Sequence, residues 1–138
     1  MQKIYNKKLK KRMIELIKHN LEGLTEKELS YYEEINDLFN QEVFKNPKFK
    51  LLQLSAMLDY RALNISKLIK HIYGMSFMTL VNLYRINYFD NEIRFYISKG
   101  IKFTMSEIIK EAGFNSRTYF YYCFKEFKGM PPKDYYNL

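Results

Sequence analysis

Between Ile108 and Met130 the sequence IIKEAGFNSRTYFYYCFKEFKGM sorts its side chains by chemistry. Read as a helix that begins after Gly113-Phe114, it gathers Phe120, Cys123, Phe124 and Phe127 on one side and leaves Arg117, Thr118, Tyr121 and Tyr122 on the other. A guanidinium fork, a hydroxyl and two phenols on one helix face suit planar polar edges and anions. Arg117 can engage guanine O6 and N7 together, a contact worth about 1–3 kcal/mol in discrimination. The bland alternative is a charge near a helix start that keeps the chain soluble. Tyr121 and Tyr122 are better suited to packing or phosphate contact than to base reading.

The same plan occurs earlier. Leu54, Leu58, Asp59 and Tyr60 correspond to Ile108, Ala112, Gly113 and Phe114. After one extra residue in the second copy, Ile65, Ile69, Lys70, Gly74 and Met75 correspond to Phe120, Phe124, Lys125, Gly129 and Met130. Each copy reads as a short helix, a tight turn and a second helix, with apolar residues four apart facing inward. Gly113 reaches positive backbone angles without steric cost, whereas Asp59 bears them less comfortably, so the first turn is expected to be the more strained. In the first copy Ile65, Leu68, Ile69 and Ile72 point inward, leaving Ala62, Leu63, Ser66, Lys67 and Lys70 outward. Lys67 can donate to guanine or to phosphate, Ser66 to base edges or backbone, and Leu63 could press on a thymine methyl or be buried against the N-terminal helices.

Elements must hold these two faces in place. Ser76 to Ser98 contains neither Gly nor Pro and sets Phe77, Leu80, Val81, Tyr84, Tyr88 and Ile93 in helical register, which predicts one connecting helix. At about 1.5 Å per residue it spans about 30 Å, close to the roughly 34 Å of one DNA turn. Ahead of Pro47 the pattern is also helical. Leu9, Met13, Leu16, Ile17, Leu21 and Leu24 recur at helix spacing, with Lys7, Lys8, Lys10, Lys11 and Arg12 on the other faces. That cluster reads about equally as a solvated face or as a DNA arm. Thr25 and Glu28 form a capping-box signal, after which Leu29, Tyr32, Ile35, Phe39 and Val43 mark a second amphipathic helix. Packing is the ordinary use of such stripes and a dimerisation surface the sharper one. Thr104 with Glu107 is another capping box.

Composition agrees with an anionic partner. The 138-residue chain has a formal net charge of +8, and 47% of its residues are hydrophobic, enough for one domain with a real core. A basic surface concentrates phosphate before any specific contact forms, so nucleic acid outranks membrane. No stretch is long and apolar enough to cross a bilayer, and the Lys-rich start lacks a following apolar run with a small-residue cleavage site; a cytoplasmic location is expected. The single cysteine, Cys123, excludes an intrachain disulfide and a Cys-based zinc cluster, and packing beside the phenylalanines is its expected role. The only histidines, His19 and His71, are far apart, and HExxH, a Gly-rich phosphate loop and a Gly-x-Ser-x-Gly elbow are all missing, so neither catalysis, a metal nor a cofactor is expected.

The segment from about Phe49 to Tyr136 resembles the double helix-turn-helix DNA-binding domain of AraC-type transcriptional regulators. The residues that carry the resemblance are Leu54 and Leu58, Ser66-Lys67-Leu68, Gly74-Met75-Ser76-Phe77 and Arg85-Ile86. In the second copy they are Ser106-Glu107-Ile108, Gly113-Phe114, Tyr119-Phe120, Phe124-Lys125, Gly129 and the Pro132 to Tyr135 ending. Departures are Arg61 where the family usually has a capping Ser, Ile109 where it has Ala, Pro131 where Ser or Thr is usual, and Tyr122 where many relatives carry Arg. The stretch up to Phe44 lies outside the motif.

The resemblance implies an all-α fold: two helix-turn-helix subdomains joined by a long connecting helix over 47–138, preceded by an N-terminal helical extension over 1–46. It places Leu63, Ser66 and Lys67 of the first copy, and Arg117, Thr118, Tyr121 and Tyr122 of the second, at base-facing positions. Lys70, Lys125 and Lys128 are suited to phosphate, which predicts a log affinity falling by about 0.9 per contact with log salt. The implied partner is double-stranded promoter DNA, read asymmetrically in two successive major grooves, with recruitment of RNA polymerase in activation or its exclusion in repression. A homodimer through the N-terminal helices is the alternative use of the extension. Two other readings stand beside this one: a sequence-indifferent nucleic-acid binder, and a protein-interaction module whose reading heads no longer touch DNA. The family often carries a sensing domain, for whose usual sugar-binding barrel 46 residues are too few. A start at Met1 favours action without an effector over a piece of a larger sensor.

Overall fold

The computed structural model describes residues 7–138, with side chains from Lys10 onward. Leu9 of the first apolar stripe and Lys7 and Lys8 of the basic cluster therefore have side chains outside the described residues. Eight α-helices follow in order: α1 Lys7–Leu21, α2 Glu26–Asn40, α3 Leu51–Leu58, α4 Ala62–Tyr73, α5 Phe77–Lys99, α6 Met105–Glu111, α7 Arg117–Lys128 and α8 Pro132–Tyr136. A 3-10 turn at Val43–Lys45 separates α2 from α3, and there is no strand among the described residues.

Caps set most of these boundaries. The Thr25 hydroxyl accepts from the Glu28 amide while the Glu28 carboxylate accepts from the Thr25 amide, both at 3.1 Å, so the predicted capping box starts α2. Ser76 starts α5 by accepting from the Thr79 amide, and Gly100 at φ 65° stops it. The Gly- and Pro-free connector is thus one 23-residue helix, about 34 Å long at 1.5 Å per residue. Two details differ from the periodicity. The helix α2 ends at Asn40, and Val43 sits in the 3-10 turn beyond a left-handed Glu42 at φ 63°. Leu16 is half exposed because Met13, Ile17 and Leu21, four apart, take the inward side of α1 and turn Leu16 to its edge.

Helix α5 divides the interior into two cores. Its N-terminal half, through Phe77, Leu80 and Val81, closes the first core with Leu54, Ile65, Ile69 and Ile72 of α3 and α4. Another face of the same helix, through Leu83, Ile86, Phe89 and Ile93, closes the other with Ile108, Phe120, Phe124 and Phe127 of α6 and α7, while Tyr84 and Tyr88 still pack on the first. Cys123 is buried in that second core. Each helix-turn-helix pair is too small to bury both its faces, so the rod and the extension complete it. Ile35 and Phe39 of α2 belong to the first core, with Phe39 packed on Phe49 and Tyr84. On α1, Ile17 and Leu21 pack against the first core and Met13 against the second. The Asn20 side chain donates to the Ile72 carbonyl at 3.1 Å, satisfying a C-terminal carbonyl of α4.

A clamp joins the end of the extension to the second unit. Arg85 of α5 is buried and donates from Nε to the Phe44 carbonyl at 2.8 Å and from Nη2 to the Asn46 carbonyl at 3.1 Å. Burial lowers its pKa from the ordinary guanidinium value. Gly113 lies against the same carbonyls: at φ 104°, a Cβ there would stand 2.4 Å from the Phe44 oxygen. Glycine is required at this turn both for its angle and for the close approach.

Candidate nucleic-acid interface

The two second helices, α4 and α7, hold the candidate contact residues. Helix α7 begins at Ser116, whose hydroxyl accepts from the Tyr119 amide at 3.2 Å. Helix α4 begins at Arg61, which makes no side-chain cap bond. Both end in left-handed glycines, Gly74 at φ 71° and Gly129 at φ 82°. The turn before α4 places Asp59 at φ 48°, a left-handed position Asp tolerates and Gly would occupy more cheaply.

On α4, Leu63 is 65% exposed, so the extension does not cover it. Ser66 is partly buried, and Lys67, Lys70 and His71 are exposed. Together Leu63 and Lys67, four apart, form an outward stripe over the buried Ile65, Leu68, Ile69 and Ile72. The first turn of α2 comes close by: Glu28 shares a shallow cleft with Tyr60, Asn64, Lys67 and His71. Tyr31 of α2 stacks on Tyr60 at a centroid distance of 4.0 Å, which fixes α2 beside the turn of the first unit.

On α7, Arg117 and Thr118 are exposed, Tyr121 is partly buried, and Tyr122 is 62% exposed. Arg117 Nη2 donates to the Tyr121 hydroxyl at 3.3 Å, so its fork rests on its own helix. Tyr122 is offset-stacked on Tyr119 at 6.3 Å. Tyr119, outside the outward set of Arg117, Thr118, Tyr121 and Tyr122, is 41% exposed, and its hydroxyl accepts from Asn82 of α5 at 2.7 Å. That bond ties the α7 face to the rod. The family motif marks Tyr119, but helical periodicity alone puts it beside Phe120 and does not show its bond to the rod.

Lys70 and Lys125 are exposed at equivalent places in the two copies. Lys128 corrects the expectation of a phosphate donor. It is 2% exposed, with its ammonium 3.8 Å from Asp90 of α5 and 5.0 Å from the Tyr135 ring centre. Position 128 lies four residues after Phe124, on the inward side of α7. The signal was present in the repeat, where its counterpart is the buried Tyr73. Asp90 also accepts from Tyr136 at 2.6 Å and from Arg94 at 2.9 Å, so this cluster anchors α7 and α8 to the rod.

Charge is unevenly placed. Helix α2 carries five of the chain's fifteen acidic residues and Lys27 as its only base. The contact faces of α4 and α7 carry Lys67, Lys70, Arg117 and Lys125 instead. Among the described residues no cluster of His, Cys, Asp and Glu could hold a metal ion, and no helix is long and apolar enough to cross a membrane.

Two helix-turn-helix units on one connecting helix, each turning a polar helix face outward from a basic chain, define a DNA-binding regulator of transcription. The family model described as a helix-turn-helix domain matches residues 54–137, and the chain belongs to that family in its AraC-type form. Two solved structures share the fold. A protein of unknown function from Listeria innocua is 25% identical with a TM-score of 0.63, over 75% of this chain and 94% of that one. The C-terminal domain of AraT, a response regulator from Geobacillus stearothermophilus, is 22% identical with a TM-score of 0.63, over 83% of this chain and 87% of that one. No curated protein is significantly similar in sequence.

Proposed function

We propose that this regulator binds double-stranded promoter DNA sequence-specifically, inserting α4 and α7 into two successive major grooves. The observation that carries the reading is the pair of exposed polar faces on α4 and α7, with the first unit packed on Phe77, Leu80 and Val81 of one 23-residue helix and the second on Leu83, Ile86, Phe89 and Ile93. That rod is about as long as one DNA turn, so one chain spans what simpler repressors span as dimers. Leu63, Ser66 and Lys67 read one half of the site, and Arg117, Thr118, Tyr121 and Tyr122 the other. Lys70 and Lys125 hold phosphates. The two faces differ in residue type, so the site is asymmetric. Met13, Ile17 and Leu21 of α1 and Ile35 and Phe39 of α2 pack within the chain, which supports packing over dimerisation as the role of the extension, although Ile14, Leu16 and Leu29 stay exposed. RNA polymerase is the partner through which occupancy is converted into activation, and the chain catalyses no reaction.

Selection of bound duplexes from a random library tests this, repeated with Arg117→Ala and Lys67→Ala. A single asymmetric consensus is expected, relaxing at one half-site in each variant. Equal affinity for unrelated duplexes at moderate salt would replace this reading with sequence-indifferent binding. Variants that leave all binding and regulation intact would replace it with a protein-interaction module.

A further inference from the structure

A cavity of about 420 Å³ lies under α1, between the extension, the middle of α5 and the last turns of α4 and α7. Its volume is in the range of small-molecule sites. One wall is apolar and supplied by α1: Met13, Ile14 and Ile17. Tyr73 and Tyr84 add aromatic surface, and Tyr135 stands at the charged end beside Arg94 and Lys128. Burial raises the pKa of Tyr73 and Tyr84, so both remain neutral donors. The polar lining includes Asn87, Asn91 and Lys10, and Arg94 and Lys128 there face one carboxylate, Asp90. Asp90 is already engaged: its Oδ1 takes bonds from Arg94 and Tyr136, and its Oδ2 stands 3.8 Å from Lys128.

We propose that this cavity binds a small amphipathic carboxylate with a rigid, aromatic-sized body. The carboxylate meets Arg94 and Lys128, and the body lies between the tyrosines and α1. Three observations converge on that class. The lining carries an excess of positive charge, which favours an anion over a neutral or cationic ligand. The tyrosine walls favour a planar ring by offset or edge contact over a flexible chain. A site with an apolar half disfavours bare phosphate, which has nothing to place there. Burial also lowers the Lys128 pKa to about 8, so an anion beside the ammonium restores stabilisation lost on folding.

The position gives the ligand a consequence, which rests on the proposed reading of DNA. Met13 packs on the second core, while Ile17 and Leu21, further along the same helix, pack on the first. Helix α1 therefore bridges the two units that carry the contact faces. A ligand that adheres to α1, α5 and the end of α7 together changes how firmly the bridge is held, and so couples to DNA affinity.

Calorimetry on the full chain with 2-naphthoate, its neutral counterpart 2-naphthalenemethanol and inorganic phosphate tests the site without DNA. One molecule of 2-naphthoate per chain is expected, with the alcohol and phosphate each at least about tenfold weaker. Arg94→Gln and Ile14→Glu change exposed positions and leave the cores intact; both should reduce naphthoate affinity about tenfold or more, as should the volume-conserving Lys128→Met. Absence of naphthoate binding, equal binding of the alcohol or phosphate, or indifference to Arg94→Gln and Ile14→Glu overturns the site. With the site established, a DNA affinity unchanged by saturating naphthoate overturns the coupling. Duplex selection without naphthoate judges the DNA reading separately.

Discussion

The two helix-turn-helix units share a plan and solve its difficult points differently. The first turns at a left-handed Asp59 and starts α4 without a side-chain cap. The second turns at Gly113 and starts α7 on a Ser116 cap. The first fills its core with Ile65, Leu68, Ile69 and Ile72 and takes Ile35 and Phe39 from the extension. The second fills its core with Phe114, Phe120, Phe124 and Phe127 and meets the extension chiefly at one carbonyl clamp. A unit with poor local signals is held by tertiary burial, and one with good local signals needs less of it. The contact faces follow the same division: the α4 face lies beside α2, whereas the α7 face is tied to the rod by Tyr119 and Asn82.

Breaking the second unit's turn should have the largest effect. Gly113→Ala sets a methyl against the Phe44 oxygen at a backbone angle that L-residues avoid. A loss of about 3 kcal/mol is expected in urea unfolding, whereas Asp59→Ala in the first turn should cost roughly 1 kcal/mol. Equal losses at the two turns would erase the contrast. Next comes the clamp. Arg85→Met removes the donor to the Phe44 and Asn46 carbonyls, and a loss of about 2 kcal/mol should follow. Amide hydrogen exchange in Arg85→Met should rise first around Phe44 to Lys48 and Gly113, and unchanged protection there would show the clamp to be dispensable.

Lys128 gives a pH-dependent test confined to the second unit. Its folded pKa of about 8 lies below the ordinary 10.5, so between these values the unfolded chain holds more protons and stability rises with pH. Below about pH 8 both states are protonated, and the cost of the buried cation is constant. Tyr73 and Tyr136 have raised folded pKa values, so the unfolded chain loses their protons first and stability falls above about pH 10. Relative to Lys128→Met, wild-type chain should gain up to about 1.4 kcal/mol per pH unit across roughly pH 8 to 10; burial also raises the Cys123 pKa, which lowers stability above about pH 9 in both proteins alike. Parallel curves for the two proteins would sink the assignment. The smallest effect concerns the caps: Ser116→Ala should cost about 1 kcal/mol, and Arg61→Ser should stabilise by several tenths to about 1 kcal/mol. Thermal denaturation resolves both, and a destabilising Arg61→Ser would mean that the arginine stem contributes packing.

Much of this architecture was legible in local pattern. The Thr25–Glu28 box, the Ser76 start, the Gly- and Pro-free connector and the Gly74 and Gly129 stops are decided within a few residues, where hydrogen bonding and backbone strain act. The outward faces followed by subtraction: Lys67, Arg117, Thr118 and Tyr122 are all exposed. The burial of Lys128 is not legible locally, because a lysine reads as surface until its partner is known, and Asp90 lies on another helix. The places of Leu16 and Val43 are not legible either, because helical spacing does not tell where a helix stops or which of two adjacent apolar residues turns inward.

The sequence by itself determined the first seven helices in their order, the internal repeat, the family and most of each helix face's polarity, because these depend on residue spacing along one chain segment. Only the tertiary structure decided that α1 bridges both cores, that Arg85 clamps Phe44 to the second turn, and that Lys128 is enclosed above a cavity. Those features join residues about forty to more than one hundred positions apart, and which distant groups meet is set by how helices pack, a choice that periodicity does not encode.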